Sequence, residues 1–431
     1  MQDKTILKKV FKQVLAEVAP DKLIMQQCSI QKNILFIKNS LYDLSLYKNI
    51  YLLGSGKAVI PMANAMHEIM GSKINETVIV GAYPHEEKSQ NYKYIQSSHP
   101  LPTTKSIKAA LCLKSMFQSF DTDDFFIYLL SGGTSAMLEL PEDQITLEEF
   151  QKVTSLMIKA GMSIEEINTV RKHLSCIKGG KLAAYTKAKG VVLVLSDVID
   201  DDLHSIGSAP LYFDTSTYDD ALRALKKHKI FAKIPQSIKI FLENGSLGHH
   251  KETPKKENKN ITHHILGSND TLLQKTQDIL RTHGIKATII KEKISGDTFD
   301  IAKKLMKFSL SNKNKKQCYL FGGEPTVVVK GDGKGGRNQH LCLSFLSLLK
   351  PGLHLTFLSA ATDGIDGNST AAGAIIDDKS LEIAKEKKIN ICDYLENFDS
   401  NSYFTKTGEL LVTGATNNNL LDIIILCINT F

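Results

Sequence analysis

Short, uniformly apolar runs that end in glycine, serine or aspartate recur along the chain, separated by longer stretches with helical spacing. The first half holds Ile50-Tyr-Leu-Leu-Gly54, Thr77-Val-Ile-Val-Gly81, Phe125-Phe-Ile-Tyr-Leu-Leu130 and Gly190-Val-Val-Leu-Val-Leu195. The second holds His263-His-Ile-Leu-Gly267, Ala287-Thr-Ile-Ile290, Cys318-Tyr-Leu-Phe321, Leu353-His-Leu-Thr-Phe-Leu358 and Asp422-Ile-Ile-Ile-Leu426. Such runs are too short for helices and too evenly apolar for a sheet with one wet face. They predict strands covered on both sides. Helical spacing is clear over 163–181, where Ile164, Ile167, Val170, Leu174 and Ile177 form a stripe behind a Ser163/Glu166 capping box. The first 45 residues, with no glycine before Gly54, also read as helical. The alternation predicts an α/β protein of two three-layer α/β/α domains with mainly parallel, Rossmann-like sheets and ligands at the carboxyl ends of the strands.

The apolar pattern thins between Asp220 and Thr262, and Lys251–Lys259 has the composition of a solvated loop. We therefore expect an N-terminal domain over 1–240 and a C-terminal domain over 241–431. A length of 431 residues, 42% hydrophobic, gives each domain a core of its own. The net charge of +7 is spread rather than blocked, which disfavours a nucleic-acid partner and suits a small anionic substrate. Seven cysteines include no C-x-x-C pair, so neither a zinc site nor a disulfide framework is signalled, and reduced thiols are expected. The start lacks a signal-peptide pattern and no apolar run has membrane length, so the expected location is the cytoplasm, with no membrane partner. Homo-oligomers are compatible with this pattern but not specified by it.

Five glycine- or acid-rich turns carry candidate chemistry. Gly331-Asp-Gly-Lys334-Gly335-Gly336-Arg337-Asn338-Gln339 follows an apolar run, Thr326-Val-Val-Val-Lys330, expected to be a strand, and precedes a helical run from His340. Glycine amides, two basic side chains and a helix start make a phosphate cradle, with a flexible basic hairpin as the plain alternative. No Walker sequence occurs in the chain. Gly54-Ser-Gly56-Lys57 opens a helix after the first buried strand, without a dinucleotide fingerprint. Ser131-Gly132-Gly133-Thr134-Ser135 ends another strand in the same way and is not a nucleophile elbow. Arg171, Lys172, His173, Lys178 and Lys181 lie off the apolar stripe, as either a solvated face or an anion site. Asp197, Asp200, Asp201 and Asp202 follow a strand, and Asp363 and Asp366 lie in a similar turn; hard oxygen ligands of this kind suit Mg²⁺. The pairs His249-His250 and His263-His264 do not converge, the second because neighbours on a strand face opposite ways.

Taken in order, Gly-Ser-Gly-Lys57, Ser98-His-Pro-Leu-Pro102, Leu130-Ser-Gly-Gly-Thr-Ser-Ala136, Asn168-Thr-Val-Arg-Lys-His-Leu-Ser175, Ile177-Lys-Gly-Gly-Lys-Leu-Ala183, Leu195-Ser-Asp-Val198, Gly322-Gly-Glu324, Gly335-Gly-Arg-Asn-Gln339 and Thr362-Asp-Gly-Ile-Asp-Gly367 closely resemble the glycerate 2-kinase family. The resemblance implies transfer of the γ-phosphoryl group of ATP to the 2-hydroxyl of D-glycerate, with Mg²⁺, in a cleft between two α/β domains. It implies Lys57 and Arg337 at the reacting group; among the carboxylates, Asp197 is the first choice for general base and metal ligand, with Asp363 or Asp366 as a second ligand. ATP phosphates would meet Gly54, Gly56, Ser131, Gly132, Gly133, Thr134, Lys334, Gly335, Gly336 and Asn338. Glycerate would meet Arg171, Lys172 and Asp363. The chain departs from the family pattern with Asp200, Ala209 and Asn417 where glycine is usual and Thr370 where aspartate is common. Two other readings remain: an oxidoreductase acting on hydroxypyruvate, and a non-catalytic sugar-acid-binding protein.

Overall fold

A computed structural model describes residues 2–85, 92–350 and 352–429. The chain divides into two compact units, one of Ile24–Ser196 and Asp201–Leu266, the other of Met1–Leu23, Asp197–Asp200 and Gly267–Phe431. This differs from the expected division at 240/241 at both ends. Helix Gln2–Glu17 packs on helix Asn269–Thr282, and Lys4 pairs with Asp377 (2.9 Å) and Glu409 (2.6 Å). Burying that amphipathic helix far along the chain is a tertiary event that local composition does not announce.

The unit holding residues 24–196 opens with a small antiparallel sheet of β1 (Cys28–Gln31), β2 (Ile34–Ile37) and β3 (Ser40–Asp43), where helix was expected. Its turns place Lys32 and Lys38 at φ 54° and 51°, a conformation whose usual sequence signal is glycine. The main sheet contains β4 (Asn49–Ser55), β5 (Glu76–Gly81), β6 (Tyr92–Gln96), β7 (Asp124–Leu130), β8 (Lys189–Leu195) and β9 (Ile261–Gly267), in the order β6-β5-β4-β7-β8-β9. The pairings among β4 to β8 are parallel. All of β7 is buried, as its unbroken apolar run requires. The strand order reverses between β4 and β7, and in open α/β sheets such a switch point is where ligands bind.

The other sheet contains β10 (Ala287–Ile289), β11 (Ile294–Asp297), β12 (Gln317–Thr326), β13 (Leu355–Ala361), β14 (Gly373–Asp377), β15 (Leu410–Leu411) and β16 (Asp422–Ile428). It is mixed rather than mainly parallel. Only β10 and β11 run parallel to β12, whereas β12–β16, β16–β13, β13–β14 and β14–β15 are antiparallel. Burial on both faces produced the same apolar runs in either direction, so sequence alone did not separate the two cases. Val327–Lys330, expected as strand, lies beyond the end of β12, with Val328 and Val329 exposed. Cys318 and Cys427 stand opposite each other on β12 and β16 and form a disulfide, which corrects the expectation of reduced thiols. Their separation of 109 residues left no motif to find.

Candidate functional site

The loops after β4 and β7 meet at the switch point. Lys57 N donates to Gly132 O (2.9 Å), Ser131 N to Ser55 O (3.1 Å), and Ala58 N to Ser131 Oγ (3.1 Å). Gly56, at φ 129°, leaves no room for a side chain, because a Cβ there would strike Ser131 Oγ and lie 2.6 Å from Ser131 O. Gly54 is equally closed in, against Val59 and Leu129. Thr134 Oγ1 bonds to Ser55 O (2.9 Å) and Ser131 O (2.9 Å), so the Ser131 and Thr134 hydroxyls are internal struts rather than free ligands.

What remains open is the backbone. Among the described residues, the amides of Gly132, Gly133, Thr134 and Ser135 have no acceptor. Gly133 is left-handed (φ 89°, ψ −11°), which curves successive N–H groups into an anion-binding nest. Lys57 lies beside it: a Cβ on Gly133 would be 3.3 Å from Lys57 Cγ and 3.1 Å from His99 Cδ2. The Lys57 ammonium takes no hydrogen bond or ion pair among the described residues. Burial, with a smaller contribution from the Lys57 charge, pushes the His99 imidazole down to about 4. His99 belongs to the Ser98-His-Pro stretch, and a histidine beside two prolines carries no chemical signal until its neighbours are known.

The basic residues of 171–181 are not a solvated face. Arg171, Lys172 and Lys178 are all buried. Lys172 pairs with Asp214 (3.2 Å), which also accepts from Ser216 and Thr253. Lys178 pairs with Glu139 (3.3 Å) and donates to the carbonyls of Ser135 (2.8 Å) and Leu138 (2.7 Å). Arg171 differs from both. No hydrogen bond or ion pair holds its guanidinium among the described residues, and Nε is sealed from solvent. Burial pulls its pKa down, partly offset by the charge of Glu139. On the same helix (Ile164–Leu174), Asn168 accepts from Ser208 (3.0 Å), which bonds Ser135 (2.7 Å). Arg171 and the nest are thereby tied together within one unit.

The loop at 331–336 is built differently from expectation. Four of its six amides are taken: Asp332 N and Gly333 N by Asn397 (3.4 and 3.1 Å), Lys334 N by Asp399 (2.9 Å) and Gly335 N by Asn368 (2.8 Å), while those of Gly331 and Gly336 have no acceptor among the described residues. The start of helix Arg337–Ser347 is also capped. Asp366 accepts from Asn338 N (3.0 Å), Gln339 N (2.8 Å) and Gln339 Nε2 (2.9 Å). A carboxylate therefore occupies the Asn338 and Gln339 amides, though not those of Gly336 and Arg337, and each Asp366 oxygen already accepts two hydrogen bonds. Burial pushes its pKa up, while the Gln339 and Asn338 amides pull it down. Asn338 is fully buried and accepts from Ser359 (2.6 Å), so it is a peg between elements rather than a ligand contact. The Lys334 side chain is exposed, and Asp363 Oδ1 accepts from Ile365 N (3.0 Å).

Arg337 is clamped. Its Nε and NH2 donate to Asp422 (2.6 and 3.1 Å), and NH1 lies 2.9 Å from Glu324. Burial alone would lower its pKa, but the Asp422 and Glu324 carboxylates outweigh that and raise it. Burial pushes Asp422 up to about 7 against the pull of Arg337. Neither carboxylate carries a sequence signal for this pairing, although Glu324 lies in the Gly322-Gly-Glu324 stretch. Asp197 follows β8 by two residues and is half-buried. Among the described residues no three His, Cys, Asp or Glu side chains converge as a metal site.

Two family descriptions match the chain: a domain of unknown function (DUF4147) over residues 6–243 and the MOFRL family over residues 317–422. The chain is 37% identical to the D-glycerate 2-kinase of Thermotoga maritima over 90% of its own length and 93% of the relative's. The chain belongs to the glycerate kinase family. It is 35% identical to the glycerate 2-kinase of Pyrococcus horikoshii, covering 87% of this chain and 86% of that one. The crystal structure of a glycerate kinase from Thermotoga maritima matches with a TM-score of 0.86 at 34% identity over 99% of both chains.

Proposed function

We propose that this protein is an ATP-dependent kinase that phosphorylates the 2-hydroxyl of D-glycerate, giving 2-phosphoglycerate and ADP. Membership of the glycerate kinase family supports the reaction class. One structural observation carries the chemistry: four unpartnered amides and an unpartnered lysine meet at the sheet's switch point. Phosphoryl transfer asks a protein mainly for positioning and fixed positive charge, and this arrangement supplies both.

In this reading the Gly132–Ser135 amides receive phosphate oxygens and Lys57 neutralises charge building on the transferred group. Arg171 receives the glycerate carboxylate, because a buried guanidinium that stacks over Phe150 but has no hydrogen bond or ion pair among the described residues gains most from a planar anion. Lys172, already paired with Asp214, is a support rather than a substrate contact. Arg337, clamped by Asp422 and Glu324, retains two of its five N–H donors for the phosphoryl group. Mg²⁺ commonly uses one or two carboxylates together with substrate phosphates, so the absence of a three-residue cluster is compatible with it. Asp197 is the carboxylate that would hold it, and when bound it would neutralise phosphate charge. Asp197 is also the proposed acceptor of the 2-hydroxyl proton. The test is ADP release from ATP and Mg²⁺ with D-glycerate, L-glycerate and hydroxypyruvate, the product's phosphate position being assigned by NMR. NADH oxidation with hydroxypyruvate, or ligand binding without ADP formation, would sink this reading.

A further inference from the structure

We propose that Lys178 and Glu139 form a buried positioning pair that holds the Gly132–Ser135 amides in their anion-binding arrangement. This rests on the reading of that nest as the phosphate site. Every carbonyl from Ser131 to Ser135 has an internal donor. Ser131 O accepts from Thr134 Oγ1 (2.9 Å), Gly132 O from Lys57 N (2.9 Å), Gly133 O from Ala136 N (3.1 Å) and Thr134 O from Leu138 N (2.9 Å). Ser135 O, the last in the series, accepts from Lys178 Nζ (2.8 Å), which also binds Leu138 O (2.7 Å). In a trans peptide the N–H points opposite the preceding carbonyl. Carbonyls 131–134 drawn inward therefore turn the amides of residues 132–135 outward, while Ser135 O shares its peptide with Ala136 N, which closes the turn by donating to Gly133 O. Two contacts of this set come from far along the chain: Lys57 N fastens the start of the turn at Gly132 O, and Lys178, next to the glycine pair Gly179-Gly180, fastens its end.

A lysine with 1% exposure beside a glutamate with 0% is costly to bury, and apolar residues of similar volume would suit the fold as well or better. Burial indeed pushes Lys178 down to about 8, against the charge of Glu139. The pair has a geometric task that apolar side chains cannot perform, namely donation to two carbonyls. It also affects Arg171, whose charge interacts with both Glu139 and Lys178. Removing Lys178 alone would leave Glu139 facing Arg171, drawing the guanidinium away from a bound carboxylate.

The full-length protein with Lys178→Met, and with Lys178→Met combined with Glu139→Leu, separates the two roles. The single variant should melt at a lower temperature and show raised KM for both ATP and D-glycerate. The double variant should recover most of the melting temperature, yet bind ADP roughly tenfold more weakly than wild type by calorimetry. A double variant with wild-type ADP affinity and kcat/KM would reduce the pair to structural filling and overturn the proposal. If neither variant folds, Lys178→Arg keeps the charge but displaces the donors. Weakened ADP binding at an unchanged melting temperature then supports the proposal, and wild-type binding counts against it. If the wild-type protein itself binds no ADP, the nest is not a phosphate site and the proposal falls with that reading, not through the variants.

Discussion

A lysine ammonium with no carboxylate partner among the described residues and an arginine held by two are different mutational targets. Lys57→Ala orphans nothing, so we expect kcat to fall by roughly 100-fold or more with the melting temperature unchanged. Arg337→Ala strips the partner from the buried Asp422 carboxylate, so activity and stability should fall together, the latter by about 3 kcal/mol in chemical denaturation. An Arg337→Ala protein as stable as wild type would contradict the clamp. The neighbours Arg171 and Lys172 divide in the same manner. Arg171→Gln should raise the KM for D-glycerate at least roughly tenfold with little change in ATP KM. Lys172→Met should chiefly lower the melting temperature, because Asp214 loses its charged partner. Sequence alone placed these two residues together as substrate contacts. What separates them is a carboxylate 42 positions away in the chain, visible only after folding.

The two glycine-rich loops, both expected to meet phosphate, differ in what their amides meet. Residues 331–336 carry more glycines and more charge, and so resemble a phosphate cradle more strongly. Their glycines instead allow close packing: a Cβ on Gly333 would lie 2.6 Å from Asp399 Cα, and one on Gly331 2.6 Å from Asn397 O. Composition reveals that a backbone must come close to something, but not whether that something is a ligand or the protein itself. Departures from the family's glycine pattern can be understood in the same terms. Asp200, Ala209 and Asn417 stand where glycine is usual, and they retain positive φ values of 61°, 54° and 55°. The backbone conformation has been kept while the residue suited to it has gone. For Ala209, buried and without a polar side chain to compensate, the left-handed conformation costs about 1 kcal/mol or more. Ala209→Gly should therefore stabilise the protein by roughly 0.5–1 kcal/mol, after the added entropy of the unfolded chain is deducted. Urea unfolding measures this directly, and a destabilised variant would show that the left-handed alanine carries no net strain.

At the scale of the whole molecule, the apolar runs identified most of the main strands and the α/β class, because two-sided burial leaves an unbroken hydrophobic trace. Strand direction and the attachment of the N-terminal helix left no such trace, since both depend on partners far along the chain. Histidines joined by β9 show how burial of this kind sets the response of the fold to acid. His264 bonds the Tyr42 hydroxyl (2.7 Å), whereas His263, on the other face, packs edge-on against Tyr212 with both ring nitrogens buried and unpartnered. Burial, with a smaller contribution from His264, pushes His263 down to about 4. The unfolded chain takes up this proton near 6.5, so between pH 6.5 and 4 it binds more protons than the folded state. The contribution of neutral His263 is complete above that window and is lost as pH falls through it, on the order of 3 kcal/mol in total. Wild-type unfolding free energy should fall steadily from pH 7 to pH 4. His263→Phe, which keeps the ring contact with Tyr212 and has nothing to protonate, should flatten that slope and gain most at the acid end. Parallel slopes for the two proteins would mean that His263 is solvated enough to charge without unfolding.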